Sequence, residues 1–200
     1  MLHFYKEEKT SNGYGATHTK RKKIDFDQYL IQVTDVYGAD YFCVDTIIDA
    51  PIFGRTAHLL VLDCDGTGEM LAATNTLATR NIGYALIQSS PSKYWIVTDV
   101  IDSFPNIYRV LKSIPGIDRN HIKFAEEHKQ LFIRAYPRGF KPLFPDVHTL
   151  KTDKVIEWYT QFEKLWDRPE LVNRCDAERL KAQLEDGSIL AAAANPEFQL

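Results

Sequence analysis

Leu59-Leu60-Val61-Leu62-Asp63-Cys64-Asp65-Gly66 is the stretch on which the fold turns. An unbroken apolar run delivers two carboxylates, spaced i and i+2, just where Gly66-Thr67-Gly68 bends the chain. In a β-strand that spacing puts both side chains on one face. Two like charges held so close repel, and one is driven neutral unless a cation stands between them. Hard divalent cations such as Mg²⁺ are held by one or two carboxylates plus substrate phosphates. A strand ending in Asp-x-Asp therefore predicts a metal platform for phosphate chemistry. The plainer alternative is a surface turn with two solvated acids.

A chain of 200 residues is one domain by default, with room for a small appendage. The net charge of −3 neither implies nor excludes a polyanionic partner, because local patches decide that. Cys43, Cys64 and Cys175 lie far apart, which predicts a reducing compartment and no structural zinc. Met1-Leu2-His3-Phe4-Tyr5-Lys6 is too polar for a signal peptide, and no apolar run approaches a membrane span. A soluble, cytoplasmic protein is expected, of a size that suits a virus- or plasmid-encoded enzyme.

Residues 1–23 read as a flexible basic arm, of which 9–23 is rich in Gly, Ser, Thr and Lys and carries Lys20-Arg21-Lys22-Lys23. Such a run contacts nucleic-acid phosphates or is simply solvated. The main domain is expected over 24–148, opening with a short helix at 25–33. The β-branched and aromatic residues of 41–48 predict a strand, broken at 50–55 and followed by a second strand over 56–63, as an antiparallel hairpin. A helix follows over 69–80, with Met70, Thr74, Leu77 and Ala78 on its inner side and Asn81-Ile82-Gly83 at its end. Strands at 84–88 and 94–98 flank the turn Ser89-Ser90-Pro91-Ser92, a link that permits only a hairpin. Ser103 is placed to cap a helix with Pro105 in its first turn and an apolar stripe of Phe104, Ile107, Tyr108 and Leu111. Asp118 caps a short helix reaching about residue 127, and 131–134 is the last strand.

From residue 59 the order is thus β-α-β-β-α-β, a split βαβ core with a mainly antiparallel sheet, the ferredoxin-like or RNA-recognition (RRM-like) arrangement of an α+β domain. Such a core would pair the strand at 59–63 in one sheet with 131–134. A C-terminal helical pair is expected over 149–188, from helices at 153–166 and 169–185, and a tail at 189–200.

Two further clusters carry chemistry. Ser89, Ser92, Lys93 and Tyr94 combine hydroxyls, turn amides and an ammonium, which suits an anionic phosphate or an ordinary polar hairpin turn. Arg134, Arg138 and Lys141 leave the last strand beside Tyr136 and Phe140, a composition that binds phosphates and stacks on bases, or forms a solvated loop. In a β-α-β-β-α-β fold all three clusters meet on one open sheet face.

Over roughly residues 40–145 the chain resembles the archaeo-eukaryotic primase superfamily, the primase–polymerases. Their palm carries a strand ending in Asp-x-Asp, then a helix, a strand-turn-strand with a Ser-x-His nucleotide motif, and a late acid before an Arg-x-x-Pro stretch. Asp63 and Asp65 match the metal pair, Ser89 to Tyr94 falls at the nucleotide motif, and Arg134-Ala135-Tyr136-Pro137 matches the late element. Tyr94 stands where that family places its triphosphate-contacting histidine. The late acid falls on Asp118, Glu126 or Glu127.

The resemblance implies a palm-like catalytic domain performing nucleotidyl transfer with Mg²⁺ or Mn²⁺. Asp63, Asp65 and Asp118 would be the catalytic acids. Ser89, Ser92, Lys93, Tyr94, Arg134 and Arg138 would hold a nucleoside triphosphate, with Tyr94 or Tyr136 stacking on base or sugar. A single-stranded DNA or RNA template would follow Lys20, Arg21, Lys22, Lys23 and Lys141, and other replication proteins are expected partners. Two rivals stand beside it. Asp63-Cys64-Asp65-Gly66-Thr67 also resembles the haloacid-dehalogenase-type phosphatase signature, in which the first Asp is a nucleophile and the second a general acid over Mg²⁺. That family requires a parallel sheet around the motif. A catalytically lapsed nucleic-acid-binding protein is the other.

Overall fold

The computed structural model describes residues 2–12, 16–24, 41–52, 54–90, 92–134 and 149–164. The predicted helices at 25–33 and 169–185, Tyr136, Arg138, Lys141 and the tail lie outside the described residues. The chain is α+β, with β1 (Phe4–Asn12), β2 (Ala16–Ile24), β3 (Tyr41–Asp45), β4 (Ile47–Ile52), β5 (Arg55–Cys64), α1 (Thr67–Thr79), β6 (Tyr84–Ser90), β7 (Lys93–Asp102), α2 (Phe104–Lys112), α3 (Arg119–His128), β8 (Phe132–Arg134) and α4 (Asp153–Glu163). Two four-stranded sheets have the orders β2-β1-β3-β8 and β4-β5-β7-β6. Every described strand pair is antiparallel.

The hairpin of β6 and β7 forms as the short turn demands, with Tyr84 facing Thr98 and Gln88 facing Tyr94. β7 lies between β5 and β6 and is antiparallel to both, so β5 and β6 run parallel and α1 crosses between them. The sequence order and this pairing make a split βαβ unit. α1 ends in a Schellman closure: Asn81 takes φ 54, its N–H donates to Ala78 O, and Ile82 N–H donates to Leu77 O. Its inner side is Ala73, Thr74 and Leu77; Ala78, expected inside, is exposed. A helix turns 100° per residue, and 73, 74 and 77 fall on one stripe that 78 just misses. α2 starts after its N-cap Ser103 as predicted, but the Ser103 side chain makes no cap hydrogen bond, and the preceding Asp102 braces the helix start. Its Oδ1 accepts from Ser103 N–H at 2.6 Å and from Asn106 Nδ2 at 3.0 Å. These hydrogen bonds hold the Asp102 carboxyl below the usual carboxylate range.

Three expectations are corrected. The run 41–48 is not one strand paired with 56–63. It divides at Thr46, whose buried N–H and Oγ1 both donate to Leu131 O at 3.3 Å while its own carbonyl accepts Leu59 N–H at 2.8 Å. β3 therefore joins one sheet, and β4 forms the tight hairpin with β5 across Gly54, which adopts φ +72. Residues within 1–23 are not an arm without regular structure, since β1 and β2 pair over nine positions. In their register Arg21 faces Glu7 and Lys20 faces Glu8, and facing opposite charges favour pairing. Lys-rich β2 is an edge strand, where charge discourages further strand addition.

The third correction concerns β8. It pairs with β3, Cys43 facing Arg134, and not in the sheet of β5. The place beside β5 is taken. Its first half pairs with β4. Beyond that, His121 Nε2 meets Val61 O at 3.0 Å and Asp118 N–H donates to Asp63 O at 2.8 Å. α3 thus closes the strand edge that β8 was expected to occupy.

Leu59, Leu60, Val61 and Leu62 are all fully buried, as are Ile96 and Val97 opposite. Consecutive buried residues mean that both faces of these strands are covered. The sheet offers no open face along β5 and β7, contrary to expectation. α2 packs against β5 and β7, while α4, with Val155, Trp158, Tyr159 and Phe162 buried, packs against β4 and β7. Asp99 fixes the start of α4 by accepting Thr152 N–H at 2.9 Å and Lys151 N–H at 3.1 Å. The bulge between Leu59 and Val61 is made good by Thr98, whose buried hydroxyl donates to Leu60 O at 2.9 Å.

At the junction of the sheets lies a polar knot. Asp45, fully buried, accepts from Tyr5 OH at 3.2 Å and lies 3.1 Å from His3 Nδ1, while its Oδ1 has no hydrogen-bond partner. Burial raises the Asp45 carboxyl above its ordinary range, partly offset by His3. Burial likewise lifts the Tyr5 hydroxyl to about 12, with Asp45 adding to it. His58, also buried, is lowered by burial against an opposing pull from Asp45.

Two stability predictions arise from this architecture. Gly116 has φ +78, and a Cβ there would run into the backbone of Glu69 in α1; Gly54 has the same hand of backbone with open space around it. Gly54→Ala should cost about 1–2 kcal/mol, the left-handed penalty alone, and Gly116→Ala distinctly more, read by urea unfolding. His58 stays neutral in the fold below the pH at which the unfolded side chain, with a pKa of about 6.5, takes a proton. Its share of stability is present above that pH and lost as pH falls toward the lowered folded value. His58→Gln should therefore shrink the stability difference between about pH 7.5 and pH 5.5, and an unchanged difference would remove His58 as its source.

Candidate metal centre at the end of β5

Asp63 and Asp65 leave β5 where α1 begins. Oxygen atoms of Asp63, Asp65 and Asp118 all lie within 4.8 Å of one another. Asp65 is exposed, and the other two are half-buried. The chain brings the third acid there by local means. Asp118 is the N-cap of α3, its carboxylate accepting Asn120 N–H at 3.0 Å, and its own N–H is the group bound to Asp63 O. Of the three late acids left open by the sequence, Asp118 alone stands in this cluster; Glu126 and Glu127 lie in the last turns of α3.

The β6–β7 turn reaches the same place. Lys93 Nζ lies 3.0 Å from Asp65 Oδ1. Ser89 Oγ donates to Lys93 O at 3.3 Å, bracing the turn, and Ser92 is exposed at its tip. Tyr94, by contrast, is buried, and its hydroxyl meets Thr67 Oγ1 at 3.1 Å. The ring packs under the start of α1 and is withdrawn from any stacking role on a base or sugar. Its cross-strand neighbour is Cys64, whereas Asp63 faces Trp95, so Tyr94 and Asp63 lie on opposite faces of the sheet.

Arg134 does not join the cluster by strand pairing, because β8 belongs to the other sheet. Lys20, Arg21, Lys22 and Lys23 sit on β2 of that same sheet.

Electrostatics favour a cation. Two carboxylates at the outer separation of 4.8 Å repel by about 1 kcal/mol in water and about 3 kcal/mol near a protein surface. A half-exposed ion pair such as Lys93 with Asp65 returns only about 0–1 kcal/mol. An all-oxygen donor set of this kind fits a hard divalent ion such as Mg²⁺ or Mn²⁺. Cys64 is no rival ligand. It is fully buried and faces Tyr94, on the side of the strand away from Asp63, and burial, followed by Asp63, Glu69 and Asp65, pushes its thiol up to about 12.

Two residues of this region escaped the sequence. Glu69 Oε2 accepts Asp65 N–H at 3.1 Å, holding the turn between strand and helix. A signal existed, since Glu69 lies three residues after the N-cap Gly66, the capping-box position. His121 left none, because its partner is a backbone carbonyl sixty residues away. Its ring also meets Trp95 edge-on at 5.5 Å.

No family model, no curated protein and no solved structure matches this chain.

His121→Leu should destabilise the fold by about 1–3 kcal/mol by stranding the buried Val61 carbonyl. His121→Gln, whose Nε2 can reach the same oxygen, should recover most of that loss in urea unfolding. Equal losses for the two variants would mean that packing on Trp95, and not the hydrogen bond, is what counts.

Proposed function

We propose that the chain is a metal-dependent nucleotidyltransferase of the primase–polymerase type, built on a palm of RRM or ferredoxin-like descent. The observation that carries this is the convergence of Asp63, Asp65 and Asp118 at one strand end with Lys93 of the hairpin turn against them. Two acids one residue apart in sequence are commonplace. A third acid and a lysine arriving from separate elements are what phosphoryl chemistry requires. The β5-α1-β6-β7 unit with order β5-β7-β6 supports the palm. In the full ferredoxin-like arrangement the fourth strand lies beside β5, and here β4 and α3 stand there.

A bound Mg²⁺ or Mn²⁺ would neutralise triphosphate charge and make a 3′-hydroxyl a better nucleophile. Asp63, Asp65 and Asp118 hold and orient it. Lys93 and Ser92 take the phosphates; Ser89 keeps the turn in shape. Arg134 and Arg138 are further candidates for the nucleotide. The template strand follows basic positions of β2 and Lys141. Within β2, Lys22 and Lys23 face Lys6 and Tyr5, while Arg21 and Lys20 face acids, so the first pair is the stronger candidate for phosphate contact.

The phosphatase alternative loses ground on topology. It needs its Asp-bearing strand in a parallel sheet, and β5 has antiparallel neighbours on both sides.

The test is primer extension and initiation on single-stranded DNA and RNA with nucleoside triphosphates and Mn²⁺ or Mg²⁺. Incorporation should be lost, by a factor of a hundred or more, in Asp63→Asn and in Asp118→Asn; the factor is of the order expected when a principal transition-state contact is removed. Calorimetry should show weakened Mn²⁺ binding in both variants. Phosphate release from a small phosphoester in place of incorporation would replace this proposal with the phosphatase. Nucleic-acid binding without either activity would replace it with a lapsed binding protein.

A further inference from the structure

We propose that Lys93 is a resident counter-cation of the acidic centre that a phosphate draws away, so that a divalent ion loads together with a polyphosphate and not ahead of it. This rests on the metal-dependent reading above and adds a gate to it. Lys93 Nζ sits 3.0 Å from Oδ1 of Asp65, one of the three acids of the cluster. The two side chains are 45% and 42% exposed, so the contact is weak and exchanges readily. The backbone beneath it is fixed. Lys93 is the first residue of β7, its carbonyl accepts Ser89 Oγ, and the next residue, Tyr94, is buried and tied to Thr67. What is free to move is the four-carbon stem and its compact ammonium, which binds phosphate as a point charge.

A bare divalent ion approaching Asp65 meets a positive charge already in contact with one of its ligands. An ion bearing a polyphosphate brings the anion that Lys93 prefers. The lysine then moves from carboxylate to phosphate, and repulsion turns into a further contact. Ser92, exposed one residue earlier on the turn, is a further hydroxyl near this exchange. Phosphate binding and metal binding are thereby coupled, and by linkage each strengthens the other equally.

The full chain, Lys93→Met and Lys93→Arg are titrated with Mn²⁺ alone and with preformed Mn²⁺–tripolyphosphate, by calorimetry and by loss of the free Mn²⁺ resonance signal. Lys93→Met should bind Mn²⁺ alone about 3- to 10-fold tighter, the effect of removing one nearby charge from a divalent ion at a solvated surface. It should bind Mn²⁺–tripolyphosphate about 3- to 10-fold more weakly than the unaltered chain, by the same charge arithmetic in reverse. Lys93→Arg should follow the unaltered chain in both titrations. Equal, saturable Mn²⁺ binding by all three proteins would overturn the gate and leave the metal centre standing. Tighter binding of both ligands by Lys93→Met would overturn the phosphate half. Absence of saturable Mn²⁺ binding in every protein would overturn the metal centre itself, and the gate with it.

Discussion

The outer edge of β5 is the constraint on which the rest of the structure depends. A strand covered on both faces cannot leave its peptide groups to water, so each needs a partner in the fold. β7 serves one edge. On the other, alternate residues point outward, and each finds something different. Leu59 N–H takes Thr46 O, Val61 O takes His121, and Asp63 O takes Asp118 N–H. Leaving a buried group of this kind unpaired costs about 1–3 kcal/mol, a large part of a small domain's total stability. Meeting that need places the N-terminus of α3 at the end of β5, which is also where the two acids leave the strand. The acidic centre is thus a by-product of closing a strand edge with a helix cap.

The same economy governs the union of the two sheets. Thr46 is the single residue between β3 and β4, and its hydroxyl, amide and carbonyl bond to Leu131 and Leu59, one from each side of the junction. Next to it Asp45 lies buried among His3, Tyr5 and His58. Burial raises the acid and lowers the histidine, so both are pressed toward their neutral forms. That pressure opposes what happens at the end of β5, where Asp65 is exposed and three acids sit together. One carboxylate is placed where charge is costly and shielded by hydrogen bonds. The others are placed where a cation can reach them. Location relative to solvent separates the buried acid from those open to a cation.

Much of the local structure was legible in the sequence. The two-strand turn at Ser89 to Ser92 is too short for anything but a hairpin, and Asp118 announced a helix start by residue type alone. The Asp63/Asp65 pair was legible because a period of two and an apolar run are local properties. The hairpin of β1 and β2 was not. Its Lys- and Glu-rich sequence carries no apolar alternation, and what holds it in the sheet is backbone pairing, of β1 with β2 and of β1 with β3. The burial of Tyr94, to which the resemblance assigned a nucleotide, was not legible because its partner, Thr67, is remote in sequence.

By itself, then, the sequence determined which residues form strands and helices around the centre, and which two acids end the central strand. Only the tertiary structure chose Asp118 over Glu126 and Glu127, sent β8 to the second sheet, and set Lys93 against Asp65. Those choices rest on backbone groups of β5 that carry no residue identity. A carbonyl in need of a donor reads the same at Val61 as anywhere else in the chain, and which distant side chain or amide answers it is settled when the pieces pack.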